Sequence, residues 1–134
     1  MSLSIESRRL GAHSVVLGLH GEVDYATAQE LRASISAILV EGDVDTIVAD
    51  LAGVTFLDST GIGTLVVAYR ICADCGVRFT ARDPNAFIAK LLTVLGVGQT
   101  IGVPPVPGLR RPRRPLHEAL DSTPLDDPRE AQPA

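Results

Sequence analysis

The alternation of apolar and polar residues predicts a hairpin at the start of the chain and a helix after it. Two apolar runs, residues 3–10 and 15–19, are separated by the turn-forming tetrapeptide Gly-Ala-His-Ser, which is typical of two antiparallel strands. Further along, Asp24 is a candidate helix N-cap. Apolar residues then recur at helical spacing until Gly42 stops the pattern, namely at Ala28, Leu31, Ile35, Ile38 and Leu39.

The middle of the chain continues with a strand and a second helix. Residues 46–51 are β-branched and mostly apolar, which predicts a short strand buried on both faces. The second helix is predicted to begin near Asp58 or Ser59 and to end at Gly76. Its predicted buried face consists of Ile62, Leu65, Val66, Ala68, Tyr69, Ile71, Cys72 and Cys75.

The last part of the pattern predicts one more strand, a third helix and a short final strand. Residues 77–81 alternate between apolar and polar side chains, as a half-buried strand does. The third helix is predicted to start at Asp83 and Pro84 and to end at Gly96. Its predicted buried stripe is Phe87, Ile88, Leu91, Leu92 and Leu95. Residues 99–103 are predicted to form the final strand.

This order of elements predicts an α/β fold, a single domain with a mixed four- to five-stranded sheet and helices packed against it. Parallel strands joined by helix-length connections leave the sheet at the same carboxyl edge. The loop that carries Asp24 should therefore lie beside the loop that carries Asp58, Ser59 and Thr60. Because α/β sheets usually place ligand sites at this edge, we expect the functional site between these two loops.

Composition divides the chain into a domain and a C-terminal extension. Residues 1–103 form the predicted domain. Residues 104–115, PPVPGLRRPRRP, contain too much proline for a helix or a central strand and are predicted to be a loop or linker. Residues 116–121, which begin with LHEAL, are the candidate for a short docking helix. Residues 122–134 have the composition of a disordered tail.

Charge and hydropathy argue against nucleic acid and membrane partners. The formal net charge of -4 disfavours a nucleic-acid binder, because phosphate contacts require a concentrated cationic surface. No uncharged apolar run approaches the roughly 20 residues that a spanning helix needs. The start MSLSIESRRL also lacks the hydrophobic segment of a signal peptide. We therefore predict a cytoplasmic protein that binds another protein and is itself a monomer or a weak dimer.

The remaining reactive residues do not predict an enzyme or a metal site. The three histidines show no metal-ligand spacing, and none has a sequence context that would pair it with Ser59 as a general base. Cys72 and Cys75 form a C-x-x-C pattern near the end of a helix, whereas a redox pair usually sits at a helix start, where the dipole lowers a thiol pKa. Buried structural cysteines are thus favoured over a redox pair. No cofactor is predicted.

Ser59 is the candidate for regulatory chemistry. It follows an apolar strand and precedes Gly61, so its hydroxyl is expected to be exposed at a helix N-terminus. The helix dipole and the free N–H groups there tolerate an added phosphate. Asp24 and Asp58 would surround that phosphate with negative charge, so phosphorylation is expected to change what docks rather than the fold. The alternative is that Asp58 or Ser59 is only an N-cap and that Gly61 only permits close packing.

Two stretches of the chain together resemble the signature of the bacterial anti-sigma factor antagonists, which have the STAS fold. They are GEVDYATAQELR at residues 21–32 and FLDSTGIGTLV at residues 56–66. Each half alone is a weak signal, but G-E-[LV]-D followed by D-S-[ST]-G-[LI]-G after an apolar strand is fairly specific. The resemblance covers about residues 1–103 in element order.

The resemblance implies a partner switch centred on Ser59. In this family the unmodified protein binds an anti-sigma factor and frees a sigma factor. The anti-sigma factor is itself a serine kinase, and its phosphorylation of the serine breaks the complex until a serine phosphatase restores it. The implied partner-binding residues are Asp24, Asp58, Ser59, Thr60 and Gly61. The alternative is a STAS interaction module of a stress-signalling scaffold or of a lipid-transport complex.

Overall fold

Seven secondary-structure elements occupy residues 2–108, the part of the chain that this computed structural model describes. In chain order they are β1 Leu3–Arg9, β2 Ser14–Val23, α1 Ala28–Glu41, β3 Thr46–Leu57, α2 Ser59–Asp74, β4 Arg78–Arg82 and α3 Ala86–Leu95. This order confirms the α/β fold expected from the sequence. The predicted linker from residue 109 onward, the candidate docking helix and the tail lie outside the described residues.

The four strands form one mixed sheet in the order β1-β2-β3-β4. β1 is antiparallel to β2, whereas β2, β3 and β4 are mutually parallel. The pairing of β2 with β3 contains two register shifts, at each of which β3 has an extra residue. Beyond them the pairing resumes, and Val23 pairs with Leu57 where both strands end. β3 therefore reaches Leu57, well beyond the predicted end at residue 51. The carboxyl ends of β2 and β3 meet at one edge of the sheet.

An aliphatic core lies between the sheet and the helices. Val15, Ile47 and Phe79 pair across β2, β3 and β4 and are at most 3% exposed. Phe79 is the only aromatic side chain among the buried residues of the described chain. Two crossovers connect parallel strands through α1 and α2. Such crossovers are right-handed as a rule, which puts both helices on the same face of the sheet, and α1 and α2 pack on each other. This packing fixes the start of α2 against the sheet edge.

The predicted fifth strand is wrong. Residues 99–102 form turns and Val103 has no regular secondary structure, and Gly102 adopts a left-handed φ of 85° that a strand does not contain. Ile101 is nevertheless fully buried, and its carbonyl oxygen accepts one hydrogen bond from the amide of Ala81 in β4 at 2.6 Å. The apolar residues of this segment thus complete the core from a turn rather than from a strand.

Two details of the third helix also differ from the prediction. α3 begins at Ala86, because Asn85 rather than Asp83 is its N-cap and accepts a hydrogen bond from the amide of Ile88 at 2.8 Å. Phe87 is 67% exposed, so it does not belong to the buried stripe. The burial of Ile88 and Leu92 and the end of the helix at Gly96 are confirmed.

Candidate functional site

Backbone and side-chain hydrogen bonds join the two loops that follow β2 and β3. The amide of Asp58 donates to the carbonyl oxygen of Val23 at 3.3 Å. In the other direction, the amide of Tyr25 donates to Oδ2 of Asp58 at 3.3 Å. The sequence-based expectation that the Asp24 loop and the Asp58 loop lie side by side is therefore confirmed.

Asp24 is buried and organises the first loop. It is 3% exposed, and its Oδ1 accepts a hydrogen bond from the amide of Thr27 at 3.1 Å. The Thr27 hydroxyl accepts in return from the Asp24 amide at 3.0 Å and donates to the carbonyl of Glu22 at 2.7 Å. α1 begins only at Ala28, so Asp24 caps the turn that leads into the helix rather than the helix itself. Oδ2 of Asp24 is buried without a hydrogen-bond partner among the described residues.

Asp58 is the N-cap of α2, and Ser59 is the first residue of that helix. Oδ1 of Asp58 accepts a hydrogen bond from the amide of Gly61 at 2.8 Å, and its carbonyl accepts from the amide of Ile62 at 2.9 Å. Ser59 is exposed, whereas Thr60 is half-buried. The helix start near Asp58 or Ser59 is confirmed, and the Ser59 side chain is accessible at the edge of the sheet.

Gly61 lets α2 approach the end of β2. A Cβ at this position would lie 2.1 Å from the carbonyl oxygen of Val23 and 2.9 Å from Cδ1 of Leu57. No side chain fits there, because real Cβ atoms do not come so close to backbone atoms. Gly63, one position beyond Ile62, has nothing within 4 Å of an added Cβ. The first glycine of the G-x-G pair is therefore a packing requirement, and the second is not.

An open notch of about 310 Å³ lies next to Asp24 and Asp58. We call it the aromatic notch, and it is lined by Asp24, Tyr25, Ala26, Phe56 and Asp58. Tyr25 is 82% exposed and Phe56 is 40% exposed. Sequence reasoning missed both aromatic residues. The available signal was that Tyr25 directly follows Asp24 and Phe56 stands two positions before Asp58, in a chain with only five aromatic side chains.

The two cysteines lie in different environments at the end of α2. Cys72 is buried, and burial together with the neighbouring Cys75 raises the pKa of its thiol to about 11. Cys75 is exposed, so the prediction of two buried cysteines is wrong for this residue. The reason is that Cys75 is the C-cap of α2, past the last turn that packs on the sheet.

Residues 2–108 contain no cluster of three or more His, Cys, Asp or Glu side chains arranged to hold a metal ion. Within the same residues, no helix has the length and apolar character needed to cross a membrane.

Comparison with known proteins assigns the family. The family model described as "Mlab, STAS domain" matches residues 7–106. The chain belongs to the STAS domain family. An anti-sigma F factor antagonist of Lysinibacillus sphaericus is 33% identical over 85 residues, which cover 63% of this chain and 73% of that protein. The STAS resemblance inferred from the two signature stretches is confirmed.

Solved structures support the same assignment for this STAS domain. The unphosphorylated anti-sigma factor antagonist SpoIIAA has a TM-score of 0.65 and 24% identity, covering 88% of this chain and 94% of SpoIIAA. An anti-sigma factor antagonist from Mycobacterium paratuberculosis has a TM-score of 0.62 and 25% identity, covering 92% of this chain and 95% of that protein. The fold and the curated relatives thus agree on the anti-sigma factor antagonist type of STAS domain.

Proposed function

We propose that this STAS domain is an anti-sigma factor antagonist that phosphorylation of Ser59 switches off. The unphosphorylated form binds an anti-sigma factor serine kinase and releases a sigma factor, and a serine phosphatase regenerates this form by removing the phosphate from Ser59. The observation that carries the proposal is the exposed Ser59 at the first position of α2, next to the Asp58 cap. The name of the Lysinibacillus relative supports this class of partner.

Ser59 is the better phosphate acceptor of the two adjacent hydroxyl residues. Its side chain is exposed, whereas Thr60 is half-buried. Asp58 already caps the amide of Gly61, and no hydrogen bond within residues 2–108 uses the amides of Ser59 and Thr60. Free amides at a helix N-terminus stabilise an anion, so α2 tolerates a phosphate on Ser59 without losing its cap.

The phosphate is expected to disrupt docking through its charge. Phosphoserine carries a charge of about -1.5 to -2 at neutral pH. Asp58 and Asp24 lie on the same edge of the sheet, and the described part of this edge offers no cation to either of them. A dianion buried in an interface without a dedicated cation costs several kcal/mol. The modified protein should therefore leave its partner while its own fold stays intact.

The proposed docking residues contribute in two ways. Asp58, Ser59 and Thr60 are at least partly exposed, so a partner can contact them directly. Asp24 and Gly61 are buried. We assign to them the shape of the surface, because Asp24 fixes the loop after β2 and Gly61 allows α2 to approach it.

The test uses Ser59 variants and the kinases themselves. The protein is incubated with ATP and each anti-sigma factor kinase of the source organism, and the phosphate is located by mass spectrometry. We expect modification of Ser59 in the wild type and none in Ser59→Ala. In a binding assay, Ser59→Ala should bind the kinase as the wild type does, and Ser59→Glu should bind at least about tenfold more weakly.

Ser36→Glu is the matched control, because Ser36 is also exposed but lies in the middle of α1. It adds the same charge away from the proposed surface and should leave binding unchanged. Equal affinity of Ser59→Glu and Ser59→Ala would reject the charge switch. Binding to a transporter subunit instead of a kinase would favour the alternative of a lipid-transport module.

A further inference from the structure

We propose that residues 116–120, LHEAL, form a short helix that docks on the outer face of α3. These residues lie outside the part of the chain that the structure describes. The outer face consists of Ala86, Phe87, Lys90 and Val94, which are the exposed residues of α3 and lie on one side of the helix. Phe87 is 67% exposed and Val94 is 51% exposed. The docking is independent of the proposed function, because it requires no partner protein.

The outer face of α3 differs from the solvent-facing sides of the other two described helices. Of the large apolar side chains, α1 exposes only Val40 and α2 exposes only Ile71, whereas α3 exposes two on one face. Single exposed apolar residues are normal, but several on one face mark an interaction site. Lys90 is the only charged residue of α3, and its stem can lie along an apolar neighbour while the ammonium group stays in solvent. The face therefore offers an apolar contact surface.

The described chain leaves the domain along the side of α3. The amide of Val106 donates to Oγ1 of Thr93 at 3.1 Å. Thr93 is only 4% exposed, and it immediately precedes Val94 of the outer face. Pro107 and Gly108 then turn the chain. The residues that follow position 108 therefore start next to the face that is left open.

The segment is within reach of the whole outer face. Residues 109–115 separate the turn from Leu116. A proline-rich stretch extends by about 3.1 Å per residue, so this linker spans about 22 Å. α3 has 10 residues, and a helix of that length is about 15 Å long. Leu116 can therefore reach either end of α3.

The residues of the segment suit a helix with one apolar side. Leu116, Ala119 and Leu120 stand at positions i, i+3 and i+4, which lie on the same side of a helix. Pro115 directly precedes them, and proline is common at the first position of a helix. A helix of so few residues is unstable in water on its own, because nucleation is costly. It is expected to form only when its apolar side packs on a surface.

Charge favours this segment over the rest of the chain after position 108. Residues 116–121 contain two acidic residues and no lysine or arginine, whereas the outer face carries Lys90. The four arginines within residues 110–114 have the same sign of charge as Lys90 and oppose docking of that stretch. Leu125 is an isolated apolar residue among proline and acidic residues. LHEAL thus combines two leucines at helical spacing with the charge opposite to that of the outer face.

The first experiment detects the contact by NMR in the full chain. Nuclear Overhauser cross-peaks are recorded between the ring protons of Phe87 and the methyl groups of isotope-labelled leucine and valine. We expect cross-peaks from Phe87 to Leu116 or Leu120. A sample that mixes labelled and unlabelled chains shows whether a cross-peak arises within one chain or between two.

The second experiment uncovers the face by substitution in the full chain. The double variant Leu116→Ser/Leu120→Ser should lose these cross-peaks and should shift the signals of the outer face. Leu125→Ser is the matched control, because it makes the same change outside the docking segment, and it should leave the outer-face signals unchanged. The ring of Phe79 is buried in the core, so its signals should not move in either variant.

Three outcomes would overturn the proposal. Cross-peaks that arise only between different chains would assign the outer face to a second copy of the protein. Outer-face signals that shift with protein concentration, without any contact to LHEAL, would also assign it to a second copy. Leucine methyl groups without cross-peaks to α3, together with unchanged outer-face signals in the double variant, would show that the segment does not dock there.

Discussion

The contact between Gly61 and Val23 provides a sharp test of how the site is built. Replacing Gly61 by Ala would place a Cβ 2.1 Å from the Val23 carbonyl oxygen and 2.8 Å from the carbonyl carbon. The same oxygen accepts the hydrogen bond from the Asp58 amide. Because the contact involves backbone atoms, no side-chain rotation relieves it. The first turn of α2 must move away from the end of β2.

The expected cost is the sum of three effects. Overpacking in a well-packed region costs about 1–3 kcal/mol, and a clash with backbone belongs at the upper end of this range. Losing the hydrogen bond between the Asp58 amide and the Val23 carbonyl costs about 1 kcal/mol. The better helix propensity of Ala returns about 0.5–1 kcal/mol. We therefore expect Gly61→Ala to lower the free energy of unfolding by about 3 kcal/mol, a large part of the stability of one domain.

Gly63→Ala is the matched control in the same helix. An added Cβ at Gly63 meets nothing within 4 Å, so only helix propensity applies, and we expect a gain of about 0.5–1 kcal/mol. Urea unfolding followed by far-UV circular dichroism measures both variants. The two substitutions should shift the midpoint in opposite directions. Stabilisation by both, or equal destabilisation by both, would show that Gly61 does not hold α2 against β2 as described.

Two further predictions concern Asp58 and Cys72. Asp58→Ala should lower the free energy of unfolding by about 1–2 kcal/mol, because the N-cap of α2 is lost. Asp58→Asn keeps a capping side chain and should change the free energy of unfolding little. Chemical denaturation of the two variants distinguishes these outcomes. Because the pKa of Cys72 is raised from 9.0 to about 11, the unfolded chain loses this proton first, and stability should fall as pH rises between these values. Cys72→Val should lack that part of the pH dependence of the urea midpoint.

The arrangement of loops at the carboxyl edge of the sheet was predictable, because it follows from the spacing of apolar residues along the chain and from the preferred hand of strand-helix-strand crossovers. Helical spacing from Ala28 to Ile38 and a β-branched run at residues 46–51 imply a strand, a crossover helix and a parallel strand. Such a unit places the residues after β2 and β3 together regardless of their detailed contacts. The juxtaposition of Asp24 with Asp58 was therefore available from the sequence, and so was the exposed position of Ser59.

The errors arose where burial depends on long-range packing. Residues 99–103 are apolar enough for a strand, but Gly102 has a positive φ, and the segment closes the core as a turn. Phe87 has the periodicity of a buried residue, yet nothing covers that side of α3 within the described residues closely enough to bury it. The exposure of Tyr25 and Phe56 likewise depends on the final arrangement of two loops, which no local pattern encodes.

The exposed location of Ser59 would let the proposed phosphorylation control binding without affecting folding. Three hydrogen bonds hold the edge together. The amides of Gly61 and Tyr25 donate to the carboxylate of Asp58, and the amide of Asp58 donates to the carbonyl oxygen of Val23. None of these hydrogen bonds uses the Ser59 side chain. Because Ser59 is exposed and contributes nothing to the core, the proposed esterification of its hydroxyl would change only the surface that a partner meets. The energetic cost of the added charge would therefore arise in the proposed complex, where solvent is excluded, and hardly at all in the isolated domain.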